Sequence, residues 1–267
     1  KKGYKVKYTP NAAVYHYHGI HQSRNPQRLA GVTKIIEGLE NNYRPGLIDP
    51  SEYEVCLVVP IKGEPLKFGG VSQLEYAASS LFSNKYISKF FVATDSEYTS
   101  ALAKDLGFSI ARIRDKDLST PESTIEDVQC WHLKYLEDNL DYHPDVIVHT
   151  EITFPYRPPN LLDQLIERFA ATGADTVLPA KVEYTWAWQN NSNKNLVRLD
   201  EGDVPRKYKN SLLLGSHGLG CVSHAEVIRT KTLVGDRVNL MPISNQLNFI
   251  EVRTQKQADY FNKLVSF

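Results

Sequence analysis

Cysteine, methionine and unbalanced charge are what this chain has least of. Three cysteines, Cys56, Cys130 and Cys221, stand in 267 residues. They are odd in number, widely spaced and mostly set in apolar runs. That favours buried free thiols in a reducing compartment over a disulfide framework or a zinc site. Lys+Arg and Asp+Glu are both 31, so the formal net charge is zero. Such a balance supplies no global field to gather nucleic acid or an anionic membrane. No apolar run approaches the roughly 18 residues of a membrane span, and no signal peptide opens the chain. Met241 is the single methionine and the chain starts at Lys1, which reads as a piece cut from a longer polypeptide. Internal repeats and low-complexity stretches are absent. GSHGLG at 215–220 is not a GxGxxG fingerprint and does not argue for a dinucleotide.

What is present is the composition of a globular protein, 42% apolar and 23% charged, arranged in two regions. Residues 1–50 begin with GYKVKYTPNAAVYHYHG, a strand, a turn and a strand ending in His16, His18 and His21. RNPQRLAGVTKIIEGLENN follows, with Leu29, Val32, Ile35, Ile36 and Leu39 at helical spacing. RPGLIDPSEY, with its Pro, Gly and Ser, reads as a linker. From residue 54 strands and helices alternate. Strands are predicted at 54–60, 89–95, 108–114, 145–150 and 175–184, and helices at 71–84, 96–107, 123–140 and 160–173. This alternation implies an α/β fold of three layers around a mainly parallel sheet. Residues 184–222 lose the alternation and suit a β-rich insertion. RVNLMPI, NFIEV and a final helix, TQKQADYFNKL, complete the pattern.

Residues 144–159, PDVIVHTEITFPYRPP, are the most informative stretch. An apolar strand breaks abruptly into Glu151, Thr153, Pro155, Arg157 and a Pro-Pro stop. Such a break delivers side chains to the carboxyl edge of an α/β sheet, where ligands bind. The same logic applies to VVP followed by IKGEPLKF, and to the strand ending in Asp95. Lys62, Gly63 and Lys67 then follow the first strand. Each also has a plainer reading: a loop lysine is commonly just solvated, Thr124 suits a helix N-cap, and Arg157 can pair with a neighbouring acid.

These landmarks fall in a known order. IKGEPLKF (61–68), VATD (92–95), RDKDLSTPEST (114–124), TEITFPYR (150–157) and IEVRTQKQ (250–257) resemble the motifs of the acylneuraminate (CMP-sialic acid) cytidylyltransferase family over residues 54–267. The resemblance implies a three-layer Rossmann-like α/β nucleotidyltransferase (GT-A-like) fold, with a mainly parallel mixed sheet and a β-rich insertion. It also implies transfer of CMP from CTP to a sugar acid of the sialic or nonulosonic kind, with release of pyrophosphate, for surface polysaccharide synthesis in the bacterial cytosol. By position, Lys62 and Lys67 would serve the triphosphate as catalytic residues. Gly63, Arg114, Ser123 and Thr124 would bind nucleotide, Glu151, Thr153 and Arg157 the sugar acid, and Glu251 the Mg2+. A homodimer is expected. Tyr184, Trp186 and Trp188 are candidates for core, dimer interface or sugar stacking.

The departures from the family pattern are equally specific. The opening loop is shorter, the family's Asn after the Lys is Phe68, its sugar-side Gln is Glu151, and its paired metal-side Asp fall on Glu251 and Arg253, or by an ungapped count from Met241 on Asn248 and Ile250. A degenerate domain that binds nucleotide or a partner without catalysis is the alternative. Residues 1–45 resemble the closing stretch of a family 2 glycosyltransferase, implying a fused upstream enzyme with residues 46–53 as linker. His16 and His18 then read as vestiges of that upstream domain.

Overall fold

The computed structural model describes residues 48–191, 195–200 and 202–265. The glycosyltransferase-like stretch 1–45, with His16 and His18, lies outside them. Part of the expected linker is structured. Asp49 caps a short 3-10 turn at Pro50–Glu52, and Tyr53 packs edge-on against Phe169 at 5.8 Å between ring centroids.

The core is a sheet whose first strand, β1 (Val55–Ile61), shows why the chain folds in three layers. Val55, Leu57, Val59 and Ile61 belong to one apolar cluster, and Cys56 and Val58 to another. Alternate side chains of a strand point to opposite faces, so an unbroken apolar run needs helices on both sides. A small hairpin, β2 (Lys67–Phe68) and β3 (Val71–Ser72), leads into α1 (Gln73–Phe82). Next come β4 (Ile87–Thr94), α2 (Glu97–Asp105), α3 (Ile125–Leu140), β5 (Val146–His149), α4 (Leu161–Thr172) and β6 (Thr176–Glu183). One cluster takes Leu74, Ala77 and Leu81 of α1, Ala103 of α2 and Leu161, Leu165 and Phe169 of α4. The other takes Val128, Leu133 and Leu136 of α3 with Ala225 and Ile228 of α5 (Ala225–Arg229).

The remaining strands are the pair β7 (Trp188–Asn190) and β8 (Leu196–Arg198), then β9 (Leu212–Gly215), β10 (Cys221–His224) and β11 (Val238–Ile243). The main sheet runs β11-β6-β10-β5-β1-β4, with β9 paired to β6. β11, β6, β5, β1 and β4 point one way, while β9 and β10 oppose them. This is the mainly parallel mixed sheet that the alternation implies. The final helix, α6 (Gln255–Val265), seats Phe261 against Phe68 at 4.7 Å and Tyr156 at 5.0 Å.

One expected strand is not formed. Residues 108–114 join β4 only through an isolated bridge at Ser109 and one backbone bond from Arg114 N to Thr94 O, with the Arg114 side chain turned inward to Asp95 and Arg112 paired locally with Asp115. The NFIEV segment holds a 3-10 turn at Gln246–Phe249 and is tied to distant residues by Val252, whose N donates to Thr153 O and whose O accepts from Gln73 Nε2, both at 2.8 Å. The cysteines are free, with Cys56 and Cys221 buried, and burial raises the Cys221 thiol to about 12.

One core residue makes stability depend on pH. His132 of α3 is fully buried against Phe91, and neither ring nitrogen has a partner. Burial lowers its pKa from 6.5 to about 4. The native state therefore binds fewer protons than the unfolded one. Stability is intact above pH 6.5, is lost as pH falls through that value, and levels below about 4. At about 1.4 kcal/mol per unit, this amounts to roughly 3 kcal/mol. Urea unfolding at pH 7.5 and 4.5 should show that drop for the native chain and a much smaller one for His132→Leu. An equal drop in both would show that His132 is not the cause.

Candidate functional site

The loops after β1, β4 and β5 meet at the carboxyl edge of the sheet and enclose a cleft of about 300 Å3, with Lys62, Arg114, Glu151 and Thr153 among its lining residues. Each is placed by local structure. Lys62 follows the last residue of β1 and is exposed. Behind it the chain turns at Gly63, whose φ of 66° favours glycine. That turn is tied down on both sides: Gly63 N donates to Asp95 Oδ1 at 2.8 Å and Thr99 Oγ1 donates to Gly63 O at 2.6 Å.

Asp95, at the end of β4, faces the buried Arg114 guanidinium at 3.6 Å. Burial works against its charge, but the Gly63 N–H, Ser119 and Arg114 together hold its carboxyl below the usual range. Arg114 Nε donates to Ser119 Oγ at 3.1 Å and its backbone N to Thr94 O at 2.8 Å. This charged group is thus carried on a short loop braced against β4.

Glu151 is the electrostatic centre. It sits 6% exposed, two residues past β5, with its N donating to Gly218 O at 2.8 Å. Its Oε2 accepts from Arg253 Nη2 at 2.8 Å, and its Oε1 lies 3.5 Å from His217 Nε2. Burial alone would raise its pKa, yet the imidazoles of His149 and His217 and the Arg253 charge hold it well below the carboxylate range. His217 is correspondingly raised, first by its hydrogen bond to Glu151. His149 is buried and lowered by desolvation. Thr153 Oγ1 lies 3.3 Å from both Glu151 Oε2 and Glu251 Oε1.

The remaining sequence candidates stand elsewhere. Lys67 is exposed on the hairpin, paired across to Ser72, and does not line the cleft. Ser123 holds its own loop, donating to Asp117 O at 3.0 Å. Thr124 caps α3 in a reciprocal box with Asp127, the N-cap reading of that residue. Arg157 donates to Thr150 Oγ1 at 2.6 Å, Glu151 O at 2.7 Å and Leu219 O at 3.1 Å. It clamps the loop that carries Glu151 rather than pairing with an acid. The Gly63 N–H is likewise committed to Asp95 and is not turned to the cleft.

Glu251 meets Arg253 Nη2 at 2.5 Å, so one guanidinium bridges Glu151 and Glu251. Mg2+ takes octahedral oxygen ligation through one or two carboxylates, phosphates and water. Here both carboxylates already hold a cation. Among the described residues, the donor group able to hold a metal is His149, Glu151 and His217, with ligand atoms all within 4.8 Å of one another. Two imidazoles and one carboxylate suit a borderline metal better than Mg2+. The residues present do not fit Mg2+ at Glu251.

Sequence reasoning did not assign Arg253, Gln73 or His149 to the site. Gln73 joins the cleft walls, with Nε2 donating to Val252 O at 2.8 Å and Oε1 accepting from Leu66 N at 3.3 Å. Arg253 was visible only as the residue replacing an expected acid.

No known family profile matches the chain, and no curated protein matches it. Solved structures do. A 4-diphosphocytidyl-2C-methyl-D-erythritol synthase from Anaerococcus prevotii aligns with TM-score 0.59 and 13% identity, over 82% of this chain and 100% of its own. A CMP:2-keto-3-deoxy-manno-octonic acid synthetase complexed with CTP aligns at 0.56 and 10%, over 80% and 98%. A second 4-diphosphocytidyl-2C-methyl-D-erythritol synthase aligns at 0.54 and 13%, over 80% and 98%. At such identities the likeness is one of fold: the chain has the Rossmann-like nucleotidyltransferase architecture.

Proposed function

We propose that residues 54–267 transfer CMP from CTP to a sugar acid of the sialic or nonulosonic kind, releasing pyrophosphate, in the cytosol and in the service of surface polysaccharide synthesis. The observation that carries this reading is the cleft itself. Lys62, Arg114 and Arg253 place three cations around one opening beside a buried, ionised Glu151, in a fold shared with a synthetase complexed with CTP. Phosphate transfer asks the protein chiefly for positioning and charge neutralisation. In this reading Lys62 meets the triphosphate from the loop after β1. Arg114, braced by Asp95, sets the nucleoside end. Glu151 accepts a hydrogen bond from the attacking sugar hydroxyl and Thr153 orients the sugar.

The β-rich insertion exposes Trp186, Trp188, Leu196 and Tyr208, apolar surface consistent with a homodimer. Residues 1–45 would then be the end of a fused glycosyltransferase that uses the donor. The alternative, a nucleotide-binding domain without catalysis, draws on one observation: the Gly63 N–H and Arg157 donors that would face substrate are already engaged within the protein.

Pyrophosphate release with CTP and a panel of sialic, legionaminic, pseudaminic and Kdo acids tests the proposal. Turnover is expected with one of them, and Lys62→Ala should lower it at least tenfold, a loss of about 1.4 kcal/mol of transition-state stabilisation. Lys67→Ala, away from the cleft, should change it little. CTP binding without turnover on any acid favours the non-catalytic alternative.

A further inference from the structure

We infer that the cleft takes its nucleotide triphosphate without a divalent cation, the Arg253 guanidinium supplying the positive charge between Glu151 and Glu251. This rests on the reading of the cleft as a CTP site and adds to it the identity of the counter-charge.

Three observations carry it. The first is occupancy. Arg253 Nη2 lies 2.8 Å from Glu151 Oε2 and 2.5 Å from Glu251 Oε1, and the Thr153 hydroxyl lies 3.3 Å from each carboxylate. Two carboxylates converging on one point beside a triphosphate site are what would recruit Mg2+. Here a side chain of the same polypeptide stands at that point, and a divalent ion would have to displace it or sit against its charge.

The second is preorganisation. The segment bearing Arg253 is not a free surface strand. Val252 N donates to Thr153 O at 2.8 Å, the buried Gln73 donates to Val252 O at 2.8 Å, and Arg253 N donates to Gln257 Oε1 at 2.8 Å. The residues on both sides therefore fix where the guanidinium starts. α6 continues directly from this segment, with its Phe261 seated on Phe68 and Tyr156.

The third is capacity. A guanidinium carries five N–H donors and keeps its charge at any physiological pH. Among the described residues, the side-chain hydrogen bonds and ion pairs of Arg253 all run through Nη2. Its Nε and Nη1 donors remain, and the side chain is half-exposed at the cleft wall. Guanidinium–phosphate pairs are among the stronger charge-assisted contacts. With the exposed Lys62 and the buried Arg114 also lining the opening, Arg253 offers the triphosphate a charge that an ion would otherwise provide.

The test is CTP affinity of the full chain by calorimetry, once in EDTA and once in millimolar Mg2+. The native protein should bind CTP in EDTA, with Mg2+ changing affinity by less than about twofold. Arg253→Ala should lose at least tenfold in EDTA. Arg253→Asp, which puts a third acid beside Glu151 and Glu251, should bind CTP only when Mg2+ is present. Binding by the native chain that requires Mg2+ overturns the inference and leaves the CTP reading standing. No binding under either condition overturns both. The decisive comparison uses the native chain and so does not depend on any variant folding.

Discussion

Gly218→Ala is expected to lower turnover on the order of hundredfold while leaving a folded protein. A Cβ at residue 218 would lie 2.6 Å from Phe154 Cε2, 2.8 Å from Glu151 Oε1 and 3.0 Å from Glu151 Cδ. Those distances are well inside contact, and neither neighbour can simply swing away. Phe154 is core and Glu151 is buried. The Glu151 carboxylate is held by Arg253 and its backbone N donates to Gly218 O itself. Relief therefore comes from moving the carboxylate, and a displacement near 1 Å of a positioning group costs about two orders of magnitude in rate. Overpacking at this point should also cost about 1–3 kcal/mol of stability. Steady-state pyrophosphate release and urea unfolding measure the two separately. Native turnover in Gly218→Ala would show that Glu151 has no part in the chemistry.

Asp95→Ala should be the most destabilising single change at the site, by about 3–5 kcal/mol, because it leaves the buried Arg114 guanidinium without its counter-charge. Arg114 is 5% exposed and its Nη2 faces Asp95 at 3.6 Å without a hydrogen bond. The substitution also removes the acceptor for Gly63 N and so loosens the loop that presents Lys62. The double variant Asp95→Ala with Arg114→Met, which removes the charge as well, should recover a large part of the loss. Chemical unfolding of the single and double variants gives the coupling directly. A double variant as unstable as the sum of the two singles would place the cost in the loop and not in the charge.

These two residues show what the sequence carries openly and what it conceals. Buried strands flanked by amphipathic helices announce themselves through apolar periodicity, so β1, β4, β5 and β6 and the helices between them are readable, as is the idea that the loops past residues 60, 95 and 150 share an edge. The weaker strand at 108–114 failed because alternation in FSIARIR describes side-chain faces and not hydrogen-bond partners. The Arg114 side chain turns to Asp95 while its backbone keeps one bond to β4. Lys62, Glu151 and Thr153 were legible because they follow strand ends, and Arg114 because it opens the RDKDLSTPEST motif. Ser123, Thr124 and Arg157 occupy comparable positions in the chain, yet their donors and acceptors are consumed within a few residues by loop and cap bonds. Motif position does not reveal that. Arg253 was hidden for the opposite reason: its partner Glu151 is 102 residues away, and no local pattern encodes a contact at that separation.

The stitching of Val252 to Thr153 and of Gln73 to Val252 also sets when the cleft can exist. On a ribosome, β1, β4 and β5 emerge early and can begin to pair while the segment around residue 253 is still unmade. Contacts of such long sequence separation form late and slow the approach to the native state. A growing chain would present Lys62 and Arg114 with the third cation missing. Completion of the cleft is thereby postponed until the polypeptide has been made past residue 253, a delay set by chain order alone.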